Sequence, residues 1–424
     1  MAAPDLVIRG ARLAGSGAPA VDLYLAHGRV LGLETHDPGR AHDAPAVEAG
    51  GLLLLPGLTD CHVHLREPGQ EWKEDVATGL AAAAHGGFAN VMCMANTKPV
   101  NDDASVTALM LDKARLSWPR GPRLFPVGAL TVKLKGEALA AFAELREAGC
   151  KAVSNDGLPV HNTELFRRAV EYASDLGLIV IDHCEDPFLS PGAGINEGLV
   201  SSALGLRGQP TASEAIQVAR DCLLAAYLQA PIHLAHISCR QSVEIIARAK
   251  EQGAPVTAET CPHYLLLTEE AVTGYNTQAK VSPPLRTSDD AAALREGLRS
   301  GVIDIVSTDH APHAAHEKET PFDEAPNGIS GLDSALALTW RLVAEGALSE
   351  ADLVRALTKG ADIFGLPVNR FAPGDPADVV LFDPNLTWTL TEQEMRSKSK
   401  NTPFLNTRLT GRCAGLYVAG KKIV

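Results

Sequence analysis

The stretch Asp60-Cys61-His62-Val63-His64-Leu65-Arg66-Glu67-Pro68-Gly69 brings two imidazoles and a guanidinium close together in the chain. It follows an apolar run, Leu52 to Leu55, broken by Pro56-Gly57. Side chains alternate along a strand, so His62 and His64 would share one face and could hold one metal ion. Arg66 lies just beyond, where its planar fork could meet a substrate carboxylate. Asp156, His183, His236 and Asp309 each end a further apolar run. His62, His64 and Asp309 can hold one ion, His183 and His236 a second, and Asp156 can bridge them. Nitrogen and oxygen donors without thiolate suit zinc, with other divalent first-row ions as alternatives. Two such ions about 3.5–4 Å apart generate a hydroxide at neutral pH and polarise a carbonyl.

Taken singly, each residue has a plainer reading. A lone histidine at a strand end is more often a hydrogen-bonded structural residue, and Asp309 in Ser307-Thr-Asp-His-Ala-Pro-His could be a helix cap. The gathering reverses that reading, because a random scatter of 14 histidines would not collect at strand ends. Cys61 and Cys184 sit beside histidines but would face the other way on a strand, as packing residues. His263-Tyr264 reads as packing and Lys151 as solvated.

The elements that must position these residues form a repeating unit: a short apolar run, a polar residue, then a helical pattern. The runs are 52–64, 89–96, 124–130, 150–156, 178–185, 232–238, 255–263 and 303–310. Helical periodicity falls at 76–85, 137–148, 163–175, 212–228, 241–252 and 289–300. Eight strands alternating with helices predict an α/β fold, a (β/α)8 TIM barrel, whose active site lies at the C-terminal strand ends. Alternating segments near 5–10, 21–25, 29–33, 377–383 and 416–420 predict a small β-sandwich domain built from both termini. The expected division is 1–56 plus 366–424 for that domain and 57–365 for the barrel.

The net charge of -13 argues against nucleic acid as a partner and offers no basic patch to a membrane. The N-terminus lacks a signal-peptide pattern and no run approaches a membrane span. Eight cysteines without a CxxC pair read as reduced thiols, so a cytoplasmic location is expected.

His62-Val-His-Leu-Arg-Glu-Pro-Gly, followed by Trp72-Lys-Glu-Asp, resembles the signature of class I bacterial dihydroorotases of the amidohydrolase superfamily. Met94-Ala-Asn-Thr-Lys-Pro, Asp156-Gly, Asp182-His-Cys-Glu-Asp, Ala235-His-Ile-Ser, Pro283-Pro-Leu-Arg and Thr308-Asp-His-Ala-Pro-His match in order. With the tail motifs Gly374-Asp-Pro-Ala-Asp and Asn401-Thr-Pro-Phe, the resemblance covers essentially the whole chain. It implies reversible hydrolysis of (S)-dihydroorotate to N-carbamoyl-L-aspartate in pyrimidine biosynthesis, with one or two zinc ions. It implies that Arg66, Asn96 and His313 bind the substrate carboxylate, that a bridging hydroxide attacks the ring carbonyl, and that Asp309 carries the proton as general base and acid. His64, Ser282, Asn327 and Gly328 fall at further substrate-binding positions. A homodimer and an association with aspartate transcarbamoylase are left open.

Three residues depart from the family pattern. Asn155 stands where Asp is frequent, and Asp156 keeps the bridging position before Gly157. Ser282 replaces the usual Asn before Pro-Pro-Leu-Arg. Asn327 replaces an aromatic, where contacts through the backbone would tolerate the change. The proline-rich segment 311–327 reads either as a lid or as an ordinary connection. The rival activities are allantoinase or hydantoinase chemistry and a non-catalytic scaffold for aspartate transcarbamoylase. Arg66, Asp156 and the full ligand set favour the dihydroorotase reading.

Overall fold

The computed structural model describes residues 3–40 and 43–424. Each of the eight predicted runs contains a strand. Leu58–Val63, Phe88–Cys93 and Arg123–Pro126 form a three-stranded parallel sheet. Gly128–Ala129, Ala152–Ser154, Ile179–Asp182, Ile232–Leu234, Val256–Thr260 and Ile305–Val306 form a six-stranded parallel one. Val127 N donates to Cys93 O at 2.8 Å as the chain passes from one sheet to the other. At the opposite end Val63 bridges His310 in parallel, and His64 N donates to His310 O at 2.8 Å. Both faces of these strands are covered, which is why they read as unbroken apolar runs rather than alternating ones.

The crossover helices follow the sequence pattern with one exception. Asp75 caps Val76–Gly86 in a capping box with Thr78, and Thr287 and Asp290 do the same for Ser288–Ser300. Thr163–Asp175 buries Phe166, Ala169, Val170 and Ala173, a stripe at spacings of three and four. The helix expected over 137–148 spans only Phe142–Ala148. Val132 N donates to Ala138 O and Ala140 N to Leu130 O, so tertiary pairing overrides the helix propensity of Glu137-Ala-Leu-Ala-Ala.

Both ends of the chain contribute to one eight-stranded mixed sheet. Leu53–Pro56 lies between Leu6–Leu13, its parallel neighbour, and Val379–Thr389, its antiparallel one. Val379–Thr389 and Arg408–Val418 make a long antiparallel pair, extending well past the segments predicted at 377–383 and 416–420. Ile8, Leu23, Leu25, Val30, Leu54, Val379 and Tyr417 pack as a separate core beneath this sheet. Among the described residues no helix is long and apolar enough to cross a membrane.

Candidate metal centre and anion pocket

The ends of the parallel strands deliver the predicted ligands to one place. His62 is the penultimate residue of its strand and His64 follows the strand end, with ring centroids 5.4 Å apart. His183 follows Ile179–Asp182 and His236 lies just beyond Ile232–Leu234, with centroids 4.6 Å apart. The Asp156 carboxylate sits between these pairs. Its Oδ1 lies 3.4 Å from His62 Nε2, 3.4 Å from His183 Nδ1 and 3.3 Å from His236 Nε2, and its Oδ2 lies 3.4 Å from His64 Nε2. Two ligand groups result, His62–His64–Asp156 and Asp156–His183–His236, each with its donor atoms within 4.8 Å of one another. Asp309 Oδ1 flanks the first, 3.1 Å from His64 Nε2 and 3.6 Å from His62 Nε2.

Residues behind the cluster aim its ring nitrogens. His62 Nδ1 lies 2.6 Å from Glu259 Oε1, which places a proton on Nδ1 and turns Nε2 toward the carboxylates. That Nε2 is buried and finds no hydrogen-bond partner. His64 Nδ1 donates to Asn96 Oδ1 at 2.8 Å, leaving its Nε2 facing Asp156 and Asp309. His183 Nε2 faces Glu185 Oε2 at 3.3 Å, so its Nδ1 points inward. Burial alone would raise the Asp156 pKa; the His62 charge and hydrogen bonds from His183 and His236 outweigh it and hold the group well below the usual carboxylate range. Ionised carboxylate oxygens, imidazole nitrogens aimed inward and an orphaned buried Nε2 fit a divalent metal. A third close group, Asp182, Cys184 and Asp221, needs no ion. Arg220 lies between its carboxylates, 2.9 Å from Asp182 and 2.7 Å from Asp221.

Arg66, His236 and Asp309 all hold left-handed backbone, with φ of 61°, 34° and 45°. Such geometry costs a non-glycine residue on the order of 1 kcal/mol or more and gathers at working sites. Every predicted site residue except His62, which lies behind the others, lines one cavity of about 600 Å³. Arg66 is buried there, donating from Nε to Pro312 O at 3.1 Å and lying 3.3 Å from His313 Nε2 through Nη2. Among the described residues no carboxylate pairs with it. A buried cation without a counter-ion beside a cavity makes an anion pocket.

The departures from the family pattern find physical explanations. Asn155 is tied to its surroundings, accepting from Thr131 N at 3.0 Å and donating to Leu134 O and Leu158 O. Ser282 Oγ donates to Glu185 Oε2 at 3.0 Å. Asn327 meets His313 through its backbone carbonyl, 2.9 Å from Nε2. Gly328 has φ 144°, and an added Cβ would stand 2.6 Å from Ala311 O. The 311–327 segment holds one short helix, Ala315–Lys318, and is anchored by Lys318 Nζ, which donates to Pro326 O at 2.7 Å and Thr277 O at 3.0 Å.

Sequence reasoning missed Glu259 and Glu185. Glu259 is fully buried within Val256–Thr260 and also accepts from Ser307 Oγ at 2.6 Å. A charged residue inside an otherwise apolar run was its one visible signal. His263 is buried against Tyr264 and Lys151 is exposed, as expected for packing and solvated residues.

A family profile described as Dihydro-orotase-like matches residues 51–242. A protein named dihydroorotase from Geobacter metallireducens is 46% identical over 427 residues, covering 99% of each chain. Another of that name from Syntrophotalea carbinolica is 50% identical over 380 residues, 89% of each. Among solved structures, a dihydropyrimidinase from Brevibacillus agri is 26% identical with a TM-score of 0.83, over 99% of this chain and 94% of that one. An L-hydantoinase from Arthrobacter aurescens shares the fold at 23% identity, with a TM-score of 0.87 over 99% and 96% of the two chains. With near-half identity along almost its whole length to proteins of that name, this chain belongs to the dihydroorotase family.

Proposed function

We propose that this chain opens the ring of (S)-dihydroorotate to N-carbamoyl-L-aspartate, and closes it in reverse, in de novo pyrimidine biosynthesis. The observation that carries this reading is Arg66, a buried guanidinium without a carboxylate partner that faces the cavity of the metal cluster. Dihydroorotate carries a ring carboxylate; hydantoin and dihydrouracil do not. The likeness to hydantoinase and dihydropyrimidinase structures bears on the fold and keeps that chemistry as the rival.

His62, His64, Asp156, His183, His236 and Asp309 would hold the metal, and the nitrogen and oxygen donors favour zinc, two ions per chain. When bound, such ions supply an activated water and polarise the ring carbonyl. Arg66 and the Nδ2 of Asn96, whose Oδ1 is committed to His64, orient the substrate carboxylate together with His313. Asp309 Oδ1 faces His64, which leaves Oδ2 to take the proton of the attacking water and deliver it to the leaving ring nitrogen. Burial pushes the Asp309 pKa up, but His62 and His64 outweigh burial and lower it, so the base is ionised at neutral pH.

The architecture that supports this chemistry is that of a class I dihydroorotase of the amidohydrolase superfamily, a (β/α)8 barrel over 57–365 with a composite β-sandwich domain from 1–56 and 366–424. The parallel order of the strands, the Val63–His310 bridge and the separate core of the mixed sheet support that division. Eight free cysteines and the acidic balance support a cytoplasmic location.

The test is metal content measured with turnover. About two divalent ions per chain are expected, with activity lost on chelation and restored by zinc. Full activity in protein shown to be free of metal would exclude the reading.

A further inference from the structure

The helix Thr211–Leu228 connects the strands Ile179–Asp182 and Ile232–Leu234, and its polarity is inverted. Its three charged residues, Glu214, Arg220 and Asp221, all turn inward. Glu214 accepts from Ser238 N at 3.1 Å and Cys239 N at 3.3 Å. Arg220 reaches Asp221 at 2.7 Å, Asp182 at 2.9 Å and Val160 O at 2.6 Å. The exposed residues are Ala212, Ile216, Leu223, Ala226 and Tyr227, without a charge among them. Neighbouring helices behave in the ordinary way: Thr163–Asp175 exposes Glu164, Arg168 and Asp175, and Arg240–Glu251 exposes Arg240, Glu244, Arg248 and Glu251. A helix that is apolar on its outer face as well as its inner one is normally covered on both. Among the described residues no part of the chain covers this face.

The spacing on that face is regular. Ala212, Ile216, Ala219, Leu223 and Ala226 follow one another at steps of four, three, four and three, the period of a helix-pairing seam. Large and small side chains alternate along it. Run antiparallel across a twofold axis, such a seam sets each large residue of one copy against a small residue of the other. Ile216, Leu223 and Tyr227 are 51%, 72% and 71% exposed. These three leave on the order of 400 Å² of mainly apolar surface open, the scale of a functional patch. The patch continues at both ends. Arg167 lies over the Tyr227 ring, 5.5 Å from its centroid. Asp186 N donates to Ser213 O at 2.9 Å, so the turn carrying the exposed Phe188 abuts the start of the helix.

We propose that this face is the contact between two copies of this chain, paired antiparallel through Thr211–Leu228 about a twofold axis. A twofold contact needs only one self-complementary patch, and the seam is one. Each chain carries a net charge of -13, so copies repel over most of their surfaces and approach most easily through an uncharged face. With the alanines, Arg167 and Phe188 included, each copy contributes about 600 Å², and a pair buries about 1,200 Å², which reaches the size of a stable dimer. A helix that lies on a membrane flanks its apolar stripe with Lys and Arg. Here the helix offers only Arg220, which is engaged with two carboxylates.

The experiment is sedimentation velocity on the full-length, metal-loaded protein, comparing the parent with L223K, I216K and L116K, each checked by circular dichroism. Leu116 is an equally exposed leucine on Ala104–Ser117 and serves as the control. The parent should be a dimer at micromolar concentration. L223K and I216K should each raise the dimer Kd at least about 100-fold, because the axis places the new charge in the contact twice. L116K should change it by less than about threefold. If the parent is a larger assembly, L223K should halve it. A parent that stays monomeric at about 100 μM overturns the proposal. So does a dimer that neither L223K nor I216K weakens, or one that L116K weakens as much. Monomeric parent that pellets with vesicles of equal phosphatidylcholine and phosphatidylglycerol, when L223K does not, would assign the face to a membrane and also overturn it.

Discussion

Asp309→Asn protein should turn over dihydroorotate at least about 10³-fold more slowly than the parent, with the fold intact. The amide keeps the shape and one oxygen facing His64, but it cannot take a proton from water and pass it on. The loss corresponds to about 4 kcal/mol of transition-state stabilisation. Asp156, held by four imidazoles, still anchors the cluster, so metal should be reduced rather than lost. The check is single-turnover ring opening together with metal analysis and circular dichroism. Retention of a tenth of the parent rate would remove the proton-carrying role from Asp309.

The second large effect belongs to Arg66. Arg66→Met should lower kcat/KM for dihydroorotate by about 10²-fold or more, because a buried charge-assisted contact is lost. For dihydrouracil, which has the ring without the carboxylate, the change should stay within about threefold. The same substitution should raise the stability of the substrate-free fold. Burial lowers the pKa of this guanidinium against the raising effect of more distant carboxylates, which marks an incompletely compensated buried cation. Removing it should relieve on the order of 1–3 kcal/mol of desolvation, visible as a higher Tm. A mutant that loses activity on both substrates equally, or that melts lower than the parent, would make Arg66 a structural residue.

Much of this candidate site was legible because its proposed metal ligands end parallel strands. Buried strands leave little choice of residue along their length, so a histidine or aspartate at the C-terminal end of such a run stands out. His62, His183, His236 and Asp309 were visible for that reason. Asp156 could be preferred to its neighbour Asn155 by its place before Gly157. The geometry separates them: Asp156 faces four imidazoles while Asn155 serves backbone groups.

The residues that aim the ligands were not legible. Glu259 lies on a different strand, 197 positions from the His62 it holds. Glu185 stands only two residues after the His183 it faces, but it reaches Ser282 because separate loops meet. Such partners depend on tertiary closeness, and no local period encodes it. The same limit applies to fold detail. The propensity of residues 137–141 favours helix, yet pairing with 130–132 wins. The full length of the Val379–Thr389 and Arg408–Val418 pair escaped notice because its outer halves are half-exposed and carry a register shift.

Substrate charge is the point on which the account stands, since proteins of similar fold carry names tied to uncharged rings. The most direct measurement is ring opening of dihydroorotate and dihydrouracil by the same metal-loaded preparation. A kcat/KM for dihydroorotate at least about 10²-fold above that for dihydrouracil is expected, matching the contribution assigned to Arg66. Equal rates, or a preference for the uncharged ring, would contradict the assignment of Arg66 as the carboxylate anchor and, with it, the dihydroorotase reading.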